Sequence, residues 1–429
     1  MFRSNINTSK GFLIGRKNMK ESTIGLIIQN ISKLAITILF FYLFGFETEI
    51  LAYAFVLSFA IASIFLILKV MNEIKRINKN FENVKYEKAT KKEYWQFTKE
   101  IIPFGMVVTL ISYFWVLITY SDRILLGYLL PQEIASAEVG VYSIALGMGT
   151  ILIAFTISIR TIFFPVISEL LGKKETEKMK KTAMTSTKWI LMAIIPITLL
   201  FCIFSEELLG IIYGKEYQTG WLALVLLTLG LFLKSAGTVP SMIIVTYKKL
   251  DIEFKIAGSA AIMNIILNIL LIPQYGINGA AFSSLIAFAI SSILFFHYSG
   301  KILELKFPIE VYKSIIAGII AFGIILLLKS QILLSIMQIT TIQIGAEEGG
   351  IIEESIIKIA TLVILGILFL VCSIIYLAVL ILLKAFGKEE LSVLEAGLRK
   401  VGIPEKYRNL AKDILEAKYL DRVYLKKQK

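Results

Sequence analysis

Only two cysteines and one histidine occur in 429 residues. Cys202 and Cys372 each sit inside an apolar run and His297 sits at the end of another, so no disulfide framework, zinc site or histidine-based catalytic set can be assembled from them. Charge is scarce as well: Asp, Glu, Lys and Arg make up 18 % of the chain, against roughly a quarter in soluble domains. No glycine-rich phosphate loop and no paired carboxylates within an apolar run are found, which leaves ATP hydrolysis and glycosidase chemistry without a basis. The chain is therefore expected not to be an enzyme and to hold no metal or cofactor.

Apolar residues are abundant, at 57 % of the chain with a mean hydropathy of +0.76. A soluble globule of this size still needs a mostly solvated surface, so the surplus calls for lipid. The expected fold class is all-α, a polytopic membrane helical bundle, because helices satisfy their own backbone groups in hydrocarbon. Lys plus Arg number 45 against 32 for Asp plus Glu. In a membrane protein that excess is first a topology signal, and nucleic acid is not an expected partner.

About ten runs are long enough to cross some 30 Å of hydrocarbon. They lie near Ile24–Phe46, Ile50–Val70, Ile101–Leu130, Val139–Ile159, Met184–Phe204, Trp221–Tyr247, Phe254–Pro273, Ala280–Tyr298, Val311–Ser330 and Ile356–Leu383. None follows a basic region with a small-residue cleavage site, so the first run is expected to stay in the mature protein. The connecting segments alternate in charge. Arg3 to Lys20, Lys75 to Lys99, Lys173 to Lys188, Lys248 to Lys255, Lys301 to Lys313 and Lys384 to Lys429 carry the cations. The intervening segments, which hold Glu47 and Glu49, Glu133 and Glu138, Glu206 and Glu207, and Glu347 to Glu354, are nearly free of them. The positive-inside rule then predicts a cytoplasmic-membrane protein with both termini cytoplasmic.

The polar stretch 71–100 mixes Lys and Glu with Tyr94, Trp95 and Phe97, which fits an amphipathic connector on the inner surface. Ser58 to Ile64 (SFAIASI) resembles Ala287 to Ile293 (AFAISSI), and the turns before them, around Gly45 and Tyr275, fall at the same offset. The first helical hairpin thus echoes spans seven and eight, which predicts a six-helix repeat unit.

Four stretches carry a family resemblance: Ser121 to Tyr128 (SDRILLGY), Val139 to Ser143 (VGVYS), Phe164 to Ser168 (FPVIS) and Asn268 to Ala281 (NILLIPQYGINGAA). In order and spacing they resemble the polysaccharide and O-antigen flippases of the MATE-like MOP superfamily. The resemblance implies two six-helix lobes around a pseudo-twofold along the membrane normal, two further helices, and a cavity opening alternately to either side. Lys10 to Glu21 resembles the cytoplasmic turn after the fourth family helix. On that alignment the first four helices are missing, through a truncated reading frame or in an unusual partial bundle. The implied organisation is a partial N-terminal lobe at 1–70, a cytoplasmic amphipathic connector at 71–100, a complete six-helix lobe at 101–300, two additional transmembrane helices at 301–385 and a cytoplasmic amphipathic tail at 386–429.

An ionisable group at the centre of a spanning helix costs at least about 2.5–3.5 kcal/mol and demands an explanation. Lys234 lies in an overlong run with Pro240, where a broken helix and a cation suit an anion; a snorkelling lysine, or one bound to a neighbouring carbonyl, is the alternative. Lys33 either faces the cavity or snorkels. Arg160, near the inner end of the fourth span, either meets a phosphate or sits at headgroup level. Asp122 and Arg123 either neutralise each other or pair with other helices, and a structural or gating role is expected of them, as of Pro240, Asn264 and Asn268. The two asparagines are one turn apart on one helix face.

Three functional classes follow. The first is a transporter that moves a lipid-linked oligosaccharide by alternating access, with Lys234, Lys33 and Arg160 binding substrate in a cavity almost free of acids. The second is a cation-coupled multidrug exporter of the same superfamily, for which only Asp122 qualifies as a buried acid. The third is a truncated, non-transporting membrane protein. Expected partners are the lipid-linked oligosaccharide or another amphiphile, membrane lipids and, through family context, glycan assembly enzymes docking on the tail.

Overall fold

The computed structural model describes residues 2–16, 18–45, 48–80, 90–304, 309–343 and 351–383, together with residues 385 and 405. Among the described residues the secondary structure is helical, without strands. Nine of these helices, or near-continuous helix pairs, are long and apolar enough to cross a membrane, and the chain is a multi-pass membrane protein. The chain divides into two units, 1–102 and 103–429.

The first unit holds α1 (Phe2–Gly15), α2 (Met19–Phe44), α3 (Thr48–Asn80) and the start of α4 (Lys91–Leu129). Ile6 and Leu13 of α1 are buried with Ala62 and Leu66 of α3. Gly25 of α2 sits so close to α3 that a Cβ there would lie 2.6 Å from Leu66, and such close approach is what small residues supply in membranes, where hydrophobic burial cannot drive helix association. Glu21 pairs with Lys69 at 3.1 Å and Arg16 lies 3.9 Å from Glu73. The Lys10 to Glu21 segment is therefore mostly the end of α1 and the start of α2.

The 71–100 stretch is described at its two ends. Helix α3 runs through it to Asn80 and α4 begins at Lys91, while 81–89 lies outside the described residues. Its Lys and Glu are good helix formers, so the spanning helices continue past the apolar runs. Thr90 and Glu93 form a capping box that starts α4: the Thr90 N–H and hydroxyl donate to the Glu93 carboxylate at 2.6 and 2.9 Å, and the Glu93 N–H donates to the Thr90 hydroxyl.

In the second unit α4 continues into α5 (Gln132–Gly149), α6 (Ile151–Gly172) and α7 (Thr176–Ile203). A short α8 (Ser205–Tyr213) and a 3-10 turn at Lys215–Gly220 lead to α9 (Trp221–Ala236) and α10 (Thr238–Thr246). The 54-residue α11 (Leu250–Leu303) is a hairpin, because Gly276 has φ +53° and ψ −133° in its middle. A straight helix would hold Asn264 and Ser284 about 30 Å apart, yet the Asn264 amide donates to the Ser284 hydroxyl at 3.3 Å. A side chain at residue 279 would collide with the Leu271 carbonyl, so the tight return requires Gly279. The two arms correspond to the runs Phe254–Pro273 and Ala280–Tyr298, which reconciles nine helical spans with ten apolar runs. Gly45, in the first hairpin's turn, also has a positive φ, +85°.

Helix α7 is the central element of this unit, with most of its spanning stretch buried. Two further helices, α12 (Ile309–Gln343) and α13 (Ile351–Leu382), dock on it. Gly318 of α12 lets Ile195 approach, and Lys329 donates to the Ile203 carbonyl at 2.8 Å while pairing with Glu207 at 2.8 Å. Apart from residue 405, the expected amphipathic tail at 386–429 lies outside the described residues, as do residues 344–350.

Candidate functional site

The overlong run Trp221–Tyr247 breaks at Gly237. Pro240 has no N–H and cannot continue the hydrogen-bond ladder, so the chain divides into α9 and α10. The Ser292 hydroxyl, from the second arm of α11, donates to the Leu233 carbonyl at 2.8 Å beside the break. Gly230 and Gly237, seven residues apart, let that arm come close: a Cβ on Gly230 would lie 3.0 Å from the Leu285 Cα, and one on Gly237 would lie 2.8 Å from the Ser292 hydroxyl. Helix α9 therefore presents Lys234 beside a break, against a closely packed neighbour.

Lys234 borders a cavity of about 340 Å³ built entirely from second-unit residues. Its ammonium lies 4.8 Å from the centre of the Trp115 ring and 4.6 Å from that of Phe288, within cation–π range. Arg160 of α6 and Glu253 of α11 border the same cavity. The Glu253 side chain is buried, and its Oε1 accepts from the Ser241 hydroxyl at 3.1 Å. Glu253 Oε2 and the Ser235 hydroxyl are buried with no partner among the described residues. Such a cavity offers an anion two cations and offers hydrogen-bond donors a carboxylate.

A second polar cluster centres on Asp122 of α4, which is 1 % exposed. Asn268 donates to its Oδ1 at 2.6 Å and Asn264 at 3.1 Å, Ser284 donates to its Oδ2 at 2.6 Å, and the Tyr142 hydroxyl donates to Oδ2 as well. Ser121 donates to the Asn264 carbonyl oxygen at 2.9 Å. An ionised carboxylate has about four acceptor positions, and here four donors from α5 and both arms of α11 fill them. The buried Asn268 Oδ1 has no partner among the described residues. The hub thus ties four helical segments together, with the Asn268 Oδ1 as its unfilled acceptor among the described residues.

The predicted residues fall into separate places. Lys234 and Arg160 share the cavity, and Asp122, Asn264 and Asn268 share the hub. Arg123 does not pair with Asp122: its guanidinium lies over the Tyr120 ring at 4.7 Å and donates to the Thr119 carbonyl at 3.4 Å. Pro240 is buried at the helix break. Lys33 lies in the first unit, exposed, with its ammonium 4.8 Å from the Phe55 ring centre. The expectation that Asp122 alone is a buried acid is corrected by Glu253, which sits in the Lys234 cavity. Glu253 was masked by Lys249, Asp251 and Lys255 around it, a composition that reads as a solvated loop. Tyr142 belongs to the VGVYS stretch, whereas Ser284 carries no signal within an Ala- and Ser-rich helix.

Comparison with known proteins adds to this geometry. Residues 1–171 match the family model described as "Polysaccharide biosynthesis protein", and residues 104–270 match the MatE family model. The chain is 25 % identical over 226 residues to a Haloferax volcanii protein named "Probable low-salt glycan biosynthesis flippase Agl15", an alignment covering 51 % of this chain and 46 % of that relative. It is 24 % identical over 221 residues to "Probable flippase AglR" of the same organism, covering 50 % of this chain and 44 % of the relative. The chain thus spans less than half the length of these curated relatives. Among solved structures, "Lipid II flippase MurJ, inward closed conformation" shares the fold with a TM-score of 0.54 at 18 % identity, over 87 % of this chain and 71 % of that one. In its family-model matches and its flippase-named relatives the chain is similar to polysaccharide-biosynthesis flippases and MatE proteins, and it shares the helical fold of a lipid flippase.

Proposed function

We propose that the chain moves a lipid-linked saccharide phosphate across the cytoplasmic membrane by alternating access, as a transporter rather than an enzyme. The observation that carries this reading is the pair of cations, Lys234 and Arg160, on one cavity within the second unit. A cation kept in a spanning helix needs an anion, a cavity or aromatic faces to offset its burial. Lys234 has the aromatic faces now, and a phosphate entering the cavity adds the anion. The names of the relatives favour a glycan carrier as cargo, and the alternation of cationic segments favours cytoplasmic termini. Lys33 is proposed as an accessory cation, and Asp122, Asn264, Asn268, Arg123 and Pro240 as residues that hold the helices in register. Membrane lipids and glycan assembly enzymes complete the proposed partners.

Reconstitution into liposomes with a fluorescent polyprenyl-phosphate sugar tests the reading. Lys234→Ala should abolish most translocation without loss of insertion, and Lys234→Arg should keep part of it because the charge remains. Normal translocation by Lys234→Ala would overturn the assignment. A cation-coupled exporter is the second reading, favoured by two buried acids, Asp122 and Glu253, in the second unit. It requires transport of a cationic drug driven by a sodium or proton gradient and lost in Asp122→Asn or Glu253→Gln.

A further inference from the structure

Five of the seven hydroxyl groups that border the Lys234 cavity share one property. Ser112, Thr156, Thr238, Ser291 and Ser292 each donate to a main-chain carbonyl, of Val108, Leu152, Lys234, Phe288 and Leu233 respectively, at 2.8–3.4 Å. Ser241 donates to Glu253. A hydroxyl has one proton and two lone pairs, so once the proton is committed to a carbonyl only acceptor capacity remains. The carboxylate of Glu253 adds further acceptors, and its Oε2 is unpartnered among the described residues although the residue is only 5 % exposed. Ser235, 1 % exposed, is the hydroxyl here without a partner. Apart from the two cations, the polar lining is therefore rich in acceptors and poor in donors. A bare phosphate would satisfy Lys234 and Arg160 and leave these acceptors unmet, and an apolar chain would satisfy none of them. The complementary ligand brings an anion together with several neutral O–H donors.

We propose that this cavity reads the sugar directly attached to the phosphate: Glu253 and Ser235 engage its hydroxyl groups while Lys234 and Arg160 hold the anion. The volume, about 340 Å³, lies at the lower end of small-molecule sites, about 300–1,000 Å³, and suits one sugar and its phosphate rather than a whole oligosaccharide. The inference rests on the phosphate reading above and adds to it the residues that discriminate a glycosylated carrier from a bare one.

The test uses two phosphodiesters of equal charge, farnesyl glucosyl phosphate and farnesyl methyl phosphate, with the purified full chain in lipid nanodiscs. Wild type should bind the glucosyl ester about tenfold more tightly, the effect of one good hydrogen bond to a charged group. Glu253→Gln should erase that preference and leave the methyl ester bound as well as before or better. Lys234→Ala should weaken both esters alike. Retained methyl-ester binding serves as the folding control for Glu253→Gln. If that variant does not fold, Ser235→Ala decides, with an expected loss of about threefold in preference. Equal binding of the two esters by wild type, or a glucosyl preference that survives Glu253→Gln and Ser235→Ala, overturns the sugar assignment while the phosphate reading stands. Failure of wild type to bind either ester overturns the phosphate reading and the sugar assignment with it.

Discussion

Replacing Asp122 separates an organising hub from an incidental contact. In Asp122→Ala the hydroxyls of Tyr142 and Ser284 and the amides of Asn264 and Asn268 lose their acceptor inside a buried site. Each buried donor left unmet costs about 1–3 kcal/mol, and interhelical hydrogen bonds within membranes are worth about 0.6–2 kcal/mol. Four donors would total about 2–8 kcal/mol on the membrane scale. Part is recovered, because Asn264 already touches Ser284 at 3.3 Å and Asn268 touches the Asn264 oxygen at 3.3 Å. The expected loss is about 3–5 kcal/mol, comparable to breaking a buried charge pair. Asp122→Asn keeps the shape and one acceptor oxygen, and the Tyr142 and Ser284 hydroxyls can rotate to accept from the new amide, so its loss should be about 1–2 kcal/mol. Unfolding of the purified protein in mixed micelles of rising dodecyl-sulfate fraction, followed by circular dichroism, measures both. A difference under about 1 kcal/mol between the Ala and Asn variants would show that the four donors do not depend on this carboxylate, and the hub argument would fail.

Further outcomes follow from the same structure. Gly276→Ala places a Cβ on a backbone with φ +53° and ψ −133° and should cost about 1–3 kcal/mol; an unchanged unfolding midpoint would mean that the hairpin turns elsewhere. Lys329 and Glu207, at 2.8 Å and only partly exposed, should show a coupling of about 1 kcal/mol in a double-mutant cycle, and additive single effects would remove this pair as a tie between α12 and α8. Single cysteines at Asn5, Lys88, Lys178 and Lys400 should resist an impermeant reagent in intact cells while one at Glu348 reacts; strong labelling at Lys178→Cys would overturn the topology.

The membrane class and the order of the spans were legible in the sequence because bilayer thickness imposes a run length that composition alone reveals. Asn264 and Asn268 were legible as a helix-face pair, and the structure supplies the partner, Asp122, that a one-dimensional reading could not select over the adjacent Arg123. An adjacent acid and base suggest mutual neutralisation, but successive helical side chains point about 100° apart. Asp122 turns into the bundle and Arg123 turns to the Tyr120 ring. Glu253 was hidden for a related reason. It sits among charged residues at the start of α11, and only the return of α10 past it, through Ser241, makes that position an interior one. Sequence reports the charge density of a segment, whereas burial depends on which neighbour packs over it.

The hub and the cavity are connected by helix geometry. Asp122 and Trp115 are seven residues apart on α4, two turns and about 10 Å along one face. Ser284 and Phe288 are four apart on the second arm of α11, one turn along its own face. Asp122 accepts from Ser284, and the two aromatic residues further along the same two helices enclose the Lys234 ammonium. The Asp122 to Ser284 hydrogen bond and the Trp115 to Phe288 ring contact, 6.5 Å between centres, thus join the same two helical segments at two levels. Cavity and hub thus draw on the same pair of helical segments, α4 and the second arm of α11.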